Sequence, residues 1–305
     1  MMREPTRIHA QADREPRPSI LGLLDDIRLR IATPYAPTPS AIDSRFFLLD
    51  LSQYENVEMA AVKAFLDPQV KAVIIRIGGS ASVRDTKFQL FWNLARELKM
   101  KRAIYTYNWP GWTVSAHVQN FMESIELWTP GDLGEGPIWV DVECHADKTR
   151  KQVSDHSIGY IKALEQETGK VIGWYSADWF LNGYMEQQAW MSEKWAWWAQ
   201  WLTNQPREHP GPVYHPSIIP DEKVVIHQTG SNCDALLFGG SSRVDTDRWQ
   251  APVEKFYELF GEDEEPPSPP PSGDLEEQVR RNTMDIEALY ERVNVIDEFL
   301  RSYNG

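Results

Sequence analysis

Residues 46–255 alternate between two patterns of apolar and polar positions. Short runs of apolar, β-branched and aromatic residues are typical of buried strands, and they are separated by stretches with helical periodicity. The predicted strands are FFLLDL (46–51), AVIIRI (72–77), RAIYTYN (102–108), PIWVDVE (137–143), VIGWYS (171–176), WAWWAQWL (195–202), KVVIHQT (223–229) and SRVDTD (242–247). The predicted helices are VEMAAVKAFL (57–66), TKFQLFWNLARELKM (86–100), TVSAHVQNFMESI (113–125) and QVSDHSIGYIKALEQET (152–168).

This order of elements predicts an α/β fold. Strands that alternate with helices pair in parallel through right-handed crossovers. After the fifth strand the helical pattern weakens, so the remaining strands are joined mainly by loops. Five βα units and three further strands make eight strands, which are enough to close a barrel. We therefore predict a β/α barrel over residues 46–260, with a doubly wound open sheet as the alternative.

Both ends of the chain differ from this domain. Residues 1–45 are rich in Pro, Arg and Ala and are predicted to form an extended arm. Residues 261–273, GEDEEPPSPPPSG, should form a stiff acidic linker. Residues 274–303 repeat apolar residues every seven positions, which predicts a coiled-coil helix that joins chains into a dimer or trimer. A helix that folds back on the domain is the alternative. The heptad row consists of Val279, Ile286, Val293 and Leu300.

Composition and charge exclude several classes of function. The formal net charge of −14 argues against a nucleic-acid partner, because phosphate binding needs clustered Lys and Arg. No apolar run is long enough for a membrane span, and no secretory signal is recognisable at the N-terminus. Neither a glycine-rich phosphate loop nor a zinc motif is present. Cys144 and Cys233 are therefore predicted to be free thiols in a reducing compartment.

Four acidic residues lie near the ends of predicted strands. Asp50 ends the first strand, Asp141 and Glu143 close the fourth, and Asp245 lies near the end of the eighth. Reactive groups of a β/α barrel lie at the carboxyl ends of its strands, so these carboxylates should surround one mouth. Burial and mutual repulsion would keep a proton on one acid, while another stays ionised beside the anomeric carbon. This arrangement suits glycoside cleavage.

The same motifs resemble those of the glycoside hydrolase family 25 lysozymes over residues 46–250. LDLSQY (49–54) is similar to the opening Asp-x-Ser strand of that family, and WVDVE (139–143) is similar to its Asp-x-Glu strand. The chain departs from the family pattern in two places. It has RIGGS (76–80) where Lys-Ala-Thr-Glu-Gly is frequent, and HQT (227–229) in place of Trp-Gln-Tyr.

The resemblance implies roles for individual residues. Glu143 would be the general acid, and Asp141 would be the nucleophile or would orient the substrate's own N-acetyl group. Asp50 and Asp245 would hold the sugar and tune the proton affinity of Glu143. No metal or cofactor is implied. Aromatic faces pack against sugar rings, which adds a set of substrate-binding residues. The aromatic members are Tyr105, Tyr107, Trp109, Trp112, Tyr175 and Trp197, and Gln228 is a further predicted substrate-binding residue.

The implied function is cleavage of the β-1,4 bond between N-acetylmuramic acid and N-acetylglucosamine in bacterial peptidoglycan. The chain lacks internal cell-wall-binding repeats and has the heptads described above, which suits a component of a phage particle. In that setting it would be made in the host cytoplasm and act on the cell wall, with residues 1–45 contacting other virion proteins. The alternatives are a non-catalytic structural or carbohydrate-binding virion protein on the same barrel, and a barrel glycosidase for another polysaccharide.

Overall fold

The computed structural model describes residues 47–66, 71–80, 83–204 and 213–262. The predicted N-terminal arm and the predicted coiled-coil helix lie outside these residues, as does the acidic linker after Glu262. The arm, the linker and the coiled-coil helix therefore remain predictions from the sequence. None of the helices in the described ranges is long and apolar enough to cross a membrane.

The strands of the described residues form one sheet that closes on itself. Its barrel order is β1, β2, β4, β5, β6, β7, β8 and β9, and pairing between β1 and β2 closes the ring. Among the described residues, the short strand β3 pairs with β2 alone, beside the barrel. The predicted eight-stranded barrel is confirmed, and the open sheet is wrong. The strands are β1 (Phe47–Leu51), β2 (Ala72–Ser80), β3 (Val83–Arg84), β4 (Lys101–Tyr107), β5 (Ile138–Asp141), β6 (Ile172–Ala177), β7 (Ala196–Ala199), β8 (Val224–Asp234) and β9 (Arg243–Trp249).

Helices follow the first five parallel strands of the barrel, as the five predicted βα units require. The helices are α1 (Met59–Leu66), α2 (Phe88–Glu97), α3 (Val114–Trp128), α4 (Arg150–Thr168), α5 (Asp178–Tyr184), α6 (Trp190–Glu193) and α7 (Val253–Phe260). The longest, α4, begins at a capping box between Thr149 and Gln152 and ends at Gly169, whose φ of 64° is left-handed. Two further 3₁₀ turns cover Asp221–Lys223 and Ala235–Phe238.

Alternation along the strands sorts apolar side chains into two cores. One set, including Val73, Val140 and Trp174, packs outward against the helices. The other set, including Trp139 and Trp197, fills the barrel interior. Helix α7 was not predicted from the sequence. It contributes side chains to the inner core, and that core also contains residues from the amino-terminal halves of the strands. The helix therefore closes the end of the barrel opposite the carboxyl ends. Its contributions are Phe256, Leu259 and Phe260.

The direction of β9 corrects one part of the sequence-based prediction. β9 runs antiparallel to both of its neighbours, β1 and β8, whereas the other barrel pairs are parallel. Asp245 therefore lies near the beginning of its strand and not near the end. Because the strand is reversed, its beginning reaches the same mouth as the carboxyl ends of the parallel strands.

Several predicted strand boundaries are also wrong, and two of them bear on the barrel mouth. The predicted sixth strand over residues 195–202 is only Ala196–Ala199, because the chain turns away and leaves Trp201 exposed. The fourth strand ends at Asp141, although the N–H of Val142 still donates to the carbonyl of Tyr175 at 2.9 Å. The extended backbone therefore continues far enough to carry Glu143 past the edge of the barrel.

Candidate active site

A cavity of about 220 Å³ lies at the carboxyl ends of the parallel strands. Its walls come from β1, β2, β4, β5, β6, β7, β8 and β9 or the residues directly after them, so every barrel strand contributes. The lining residues are Asp50, Ser52, Tyr54, Glu55, Arg76, Tyr105, Tyr107, Asp141, Glu143, Tyr175, Trp197, Gln228 and Asp245.

The structure brings together all four predicted acids and most of the predicted sugar-binding residues. Trp109 and Trp112 are the two that do not line the cavity. They lie in the loop after β4, with 38% and 46% of their surfaces exposed. Histidines of α3 and α4 fix this loop. The Nε2–H of His117 donates to the carbonyl of Trp109 at 2.8 Å, and that of His156 to the carbonyl of Trp112 at 3.0 Å.

Asp141 and Glu143 face the same cavity, as strand alternation predicts. Asp141 is 7% exposed, and among the described residues its Oδ1 atom has no hydrogen-bond partner. Burial raises the pKa of Asp141 well above its usual value, and repulsion from Glu143 and Asp50 raises it further. Burial also raises the pKa of Glu143, which is only half-buried at the rim. The two acids thus combine a deep carboxyl group that has an unpartnered oxygen with a more accessible one.

Asp247 is a site residue that the sequence-based reasoning missed. It is fully buried behind Asp50, and the two carboxyl groups are hydrogen-bonded to each other. Asp247 Oδ1 accepts the indole N–H of Trp197 at 2.7 Å, and Oδ2 accepts the backbone N–H of Asp50 at 3.2 Å. Burial raises the pKa of Asp247 to about 8, and burial followed by repulsion from Asp247 raises the pKa of Asp50. The pair therefore retains a proton at neutral pH.

Gln228 connects the acids of β1 and β9. Its Nε2 group donates to Asp50 Oδ2 at 3.0 Å and to Asp245 Oδ2 at 3.3 Å. Its Oε1 atom accepts the hydroxyl of Tyr175 and the indole N–H of Trp201, both at 2.9 Å. Burial, followed by repulsion from Asp50, raises the pKa of Asp245 to about 9. The amide thus fixes two carboxyl groups whose pKa values favour protonation.

Glu55 and Arg76 also line the cavity without having been predicted. Glu55 is held against β1, because its Oε2 atom accepts the hydroxyl of Ser52 at 2.6 Å. Arg76 enters from β2, where it is the charged residue in the otherwise apolar run AVIIRI. This charged residue within an apolar run was the feature of the sequence that could have identified Arg76 as a site residue. Among the described residues, no group of three or more His, Cys, Asp or Glu side chains is placed to hold a metal ion.

The family follows from comparison with known proteins. The family model for glycosyl hydrolases family 25 matches residues 49–232, which is more than half of the chain. The chain belongs to this family. It is a glycoside hydrolase of the lysozyme, or muramidase, class. The family match covers β1 to most of β8, including Asp50, Asp141 and Glu143, and ends before Asp245. No curated protein is significantly similar to the chain in sequence.

Solved structures of family 25 share its fold. The bacterial lysozyme from Streptomyces coelicolor matches with a TM-score of 0.59 and 15% identity, over 73% of this chain and 99% of that one. A family 25 glycosyl hydrolase from Bacillus anthracis matches with a TM-score of 0.57 and 17% identity, over 72% and 96%. The catalytic domain of an endolysin from a bacteriophage of Listeria monocytogenes gives 0.54 and 16%, over 72% and 98%.

Proposed function

We propose that this family 25 chain hydrolyses peptidoglycan at the β-1,4 bond between N-acetylmuramic acid and N-acetylglucosamine, with Glu143 as the general acid. One observation supports this most strongly. Asp141 and Glu143 share a cavity with Asp50 and Asp245, on strands that are far apart in sequence. The cost of burying so many carboxyl groups is easily explained by a reaction that needs both a proton donor and a negative charge.

Glu143 is the best-placed proton donor. Burial raises its pKa, so that it retains a proton nearer to neutral pH than an exposed glutamate would. It also lies beyond the last paired residue of β5, at the rim, where the oxygen of the leaving sugar can reach it. General acids of this kind contribute on the order of 10²–10⁴ to the rate.

Asp141 lies deeper and would face the anomeric carbon. Its unpartnered Oδ1 atom is available to attack that carbon, or to accept a hydrogen bond from the substrate's N-acetyl group. A substrate with an N-trifluoroacetyl group separates these roles, because its acetamido oxygen is a weaker nucleophile. A strong loss of rate would favour the substrate-assisted route, and an unchanged rate would favour direct attack by Asp141.

Asp50, Asp245 and Gln228 would hold the sugar between these two acids. Their carboxyl and amide groups already form one hydrogen-bonded set, so the site is organised before substrate binds. The aromatic walls formed by Tyr105 and Trp197 would pack against the apolar face of the ring.

The experiment is release of new reducing ends from purified bacterial walls. Wild-type protein should release them, and Glu143→Gln should abolish the release without changing the thermal unfolding temperature. Glu126→Gln is the matched control, because Glu126 is exposed on α3, away from the cavity. If the wild type releases no reducing ends from any wall preparation, the hydrolase proposal fails.

The proposal extends to assembly. Residues 274–303 would join two or three chains, and residues 1–45 would contact other virion proteins, so that the enzyme acts as part of a phage particle. The heptad row supports this, and it can be tested by light scattering. The full-length chain should be a dimer or trimer, and a variant with Ile286→Asp and Val293→Asp should be a monomer. A monomeric wild type would contradict the assembly proposal and leave the hydrolase proposal intact.

A further inference from the structure

Arg76 is the one basic residue among those that line the cavity in the described part of the chain. It lies on β2 opposite Tyr105 of β4, and alternation with the outward-facing Ile75 and Ile77 directs its side chain into the barrel mouth. The carboxyl groups of β1, β5 and β9 surround the same space. A single fixed positive charge among several acids has a strong effect on which acid is ionised.

Asp85 anchors this guanidinium. The Nε–H of Arg76 donates to Asp85 Oδ2 at 2.9 Å. Asp85 is 1% exposed and also accepts the backbone N–H groups of Gln53 at 2.8 Å and of Lys87 at 3.0 Å. The guanidinium carbon also lies over the Tyr54 ring, 5.0 Å from its centre. Arg76 is therefore held in one place before substrate binds, at little further entropic cost.

Asp141 is surrounded almost entirely by acids and phenols. Among the described residues that line the cavity, only Arg76 carries a positive charge, and Asp141 Oδ1 has no hydrogen-bond donor of its own. A buried carboxylate oxygen without a donor is costly to ionise, and a nearby cation lowers that cost. The titratable groups that share this space with Asp141 are Asp50, Glu55, Arg76, Tyr105, Tyr107, Glu143, Tyr175 and Asp245, with Asp247 behind Asp50.

We propose that Arg76, anchored by Asp85, is a positioning residue that favours the ionised form of Asp141 and so shifts the proton of the β5 acid pair towards Glu143. This inference rests on the proposed function, because it assigns the charge states that cleavage requires. It also explains why the chain keeps a long cation at a cavity whose other walls are acidic, aromatic or uncharged.

The electrostatics of the individual acids show what Arg76 opposes. Burial and the repulsion from Glu143 and Asp50 hold the pKa of Asp141 well above its usual value, and the positive charge of Arg76 offsets part of that rise. Burial and neighbouring acids dominate at Asp50 and Asp245, and burial alone raises the pKa of Glu143. Arg76 thus acts selectively on one member of the pair.

The test compares Arg76→Met, which removes the charge, with Arg76→Lys, which keeps it. Arg84→Met is the matched control, because Arg84 lies on the neighbouring strand β3 and pairs with the exposed Glu123 outside the cavity. The first measurement is a ¹³C NMR titration of the Asp141 carboxyl without substrate, assigned with Asp141→Asn. Arg76→Met should raise the pKa of Asp141, whereas Arg76→Lys and Arg84→Met should leave it close to the wild-type value.

The second measurement is the pH profile of kcat/KM. Loss of the charge should move the acidic limb of Arg76→Met to higher pH and leave the alkaline limb in place. On the acidic side the rate relative to wild type should then fall about tenfold for each pH unit of that movement. In Arg76→Lys, which keeps the charge, the acidic limb should lie at its wild-type pH. If Arg76→Met destabilises the fold, Arg76→Gln takes its place as the neutral variant.

An unchanged pKa of Asp141 in a folded neutral variant would overturn the proposal. So would a pH profile that falls uniformly without a movement of the acidic limb, since that result indicates a packing role. The NMR titration needs no turnover. A wild type without activity would therefore refute the proposed function, while the effect of Arg76 on Asp141 would still be measured separately.

Discussion

The buried pair of Asp50 and Asp247 leads to an asymmetric prediction for two isosteric substitutions. In Asp50→Asn the new amide can still donate to Asp247, and its oxygen can still accept from Gln228 Nε2. In Asp247→Asn one of the two acceptor oxygens is replaced by the NH₂ group of an amide, which can only donate. It would then face either the indole N–H of Trp197 or the backbone N–H of Asp50, both of which are donors.

The magnitude follows from these contacts. A buried donor that loses its acceptor costs about 1–3 kcal/mol, so Asp247→Asn should be less stable than Asp50→Asn by about that amount at any pH. The dependence on pH adds a second effect. Because the pKa values of both acids are raised in the folded chain, the stability that they contribute is present below the usual aspartate pKa. It is lost as the pH rises towards about 8, the value for Asp247.

Each such acid lowers the free energy of unfolding by about 1.4 kcal/mol per pH unit within that window. The amide introduced by Asp50→Asn does not titrate, so the free energy of unfolding of this variant should fall less steeply than that of wild type between about pH 5 and about pH 7. Urea unfolding followed by tryptophan fluorescence at the two pH values measures both effects. Equal stabilities of the two variants, or a wild-type pH dependence retained in Asp50→Asn, would refute the proposed hydrogen-bonding of this pair.

Two further predictions concern packing and substrate binding. Gly173→Ala should lower the free energy of unfolding by about 1–3 kcal/mol, because the added methyl group overlaps the ring of Trp139 inside the barrel. Gly183→Ala in α5, where the methyl group meets nothing, should be neutral or stabilising by up to about 1 kcal/mol in chemical denaturation. Trp109→Ala and Trp112→Ala should raise KM for wall fragments more than they lower kcat, because both rings lie outside the cavity. An effect on kcat alone would place them in the reaction itself.

The barrel and its mouth could be predicted from the sequence because they depend on local patterns. Apolar runs of strand length identify most of the strands, and the rule that reactive groups lie at carboxyl ends brings Asp50, Asp141 and Glu143 together. The direction of β9 could not be predicted in this way. A loop connection permits either direction, so only the observed pairing shows why Asp245 reaches the mouth from the beginning of its strand.

Two omissions had signals in the sequence. Asp247 follows Asp245 by two residues, as Glu143 follows Asp141, so alternation would have placed it on the same face. Helix α7 carries an apolar stripe that closes the barrel, and it lies within the predicted barrel range of 46–260, although no helix was predicted there. The placement of Trp109 and Trp112 had no local signal, because histidines of two distant helices fix their loop.

The identity of the new reducing end tests the central claim most directly. Wall fragments released by the wild-type protein are reduced with borohydride, hydrolysed to their component sugars and analysed by mass spectrometry. The proposed cleavage predicts that N-acetylmuramic acid is recovered as its reduced alcohol, and that Glu143→Gln yields none. Recovery of reduced N-acetylglucosamine instead, or no reduced sugar from wild type on any wall, would contradict the assignment of this barrel as a muramidase with Glu143 as its proton donor.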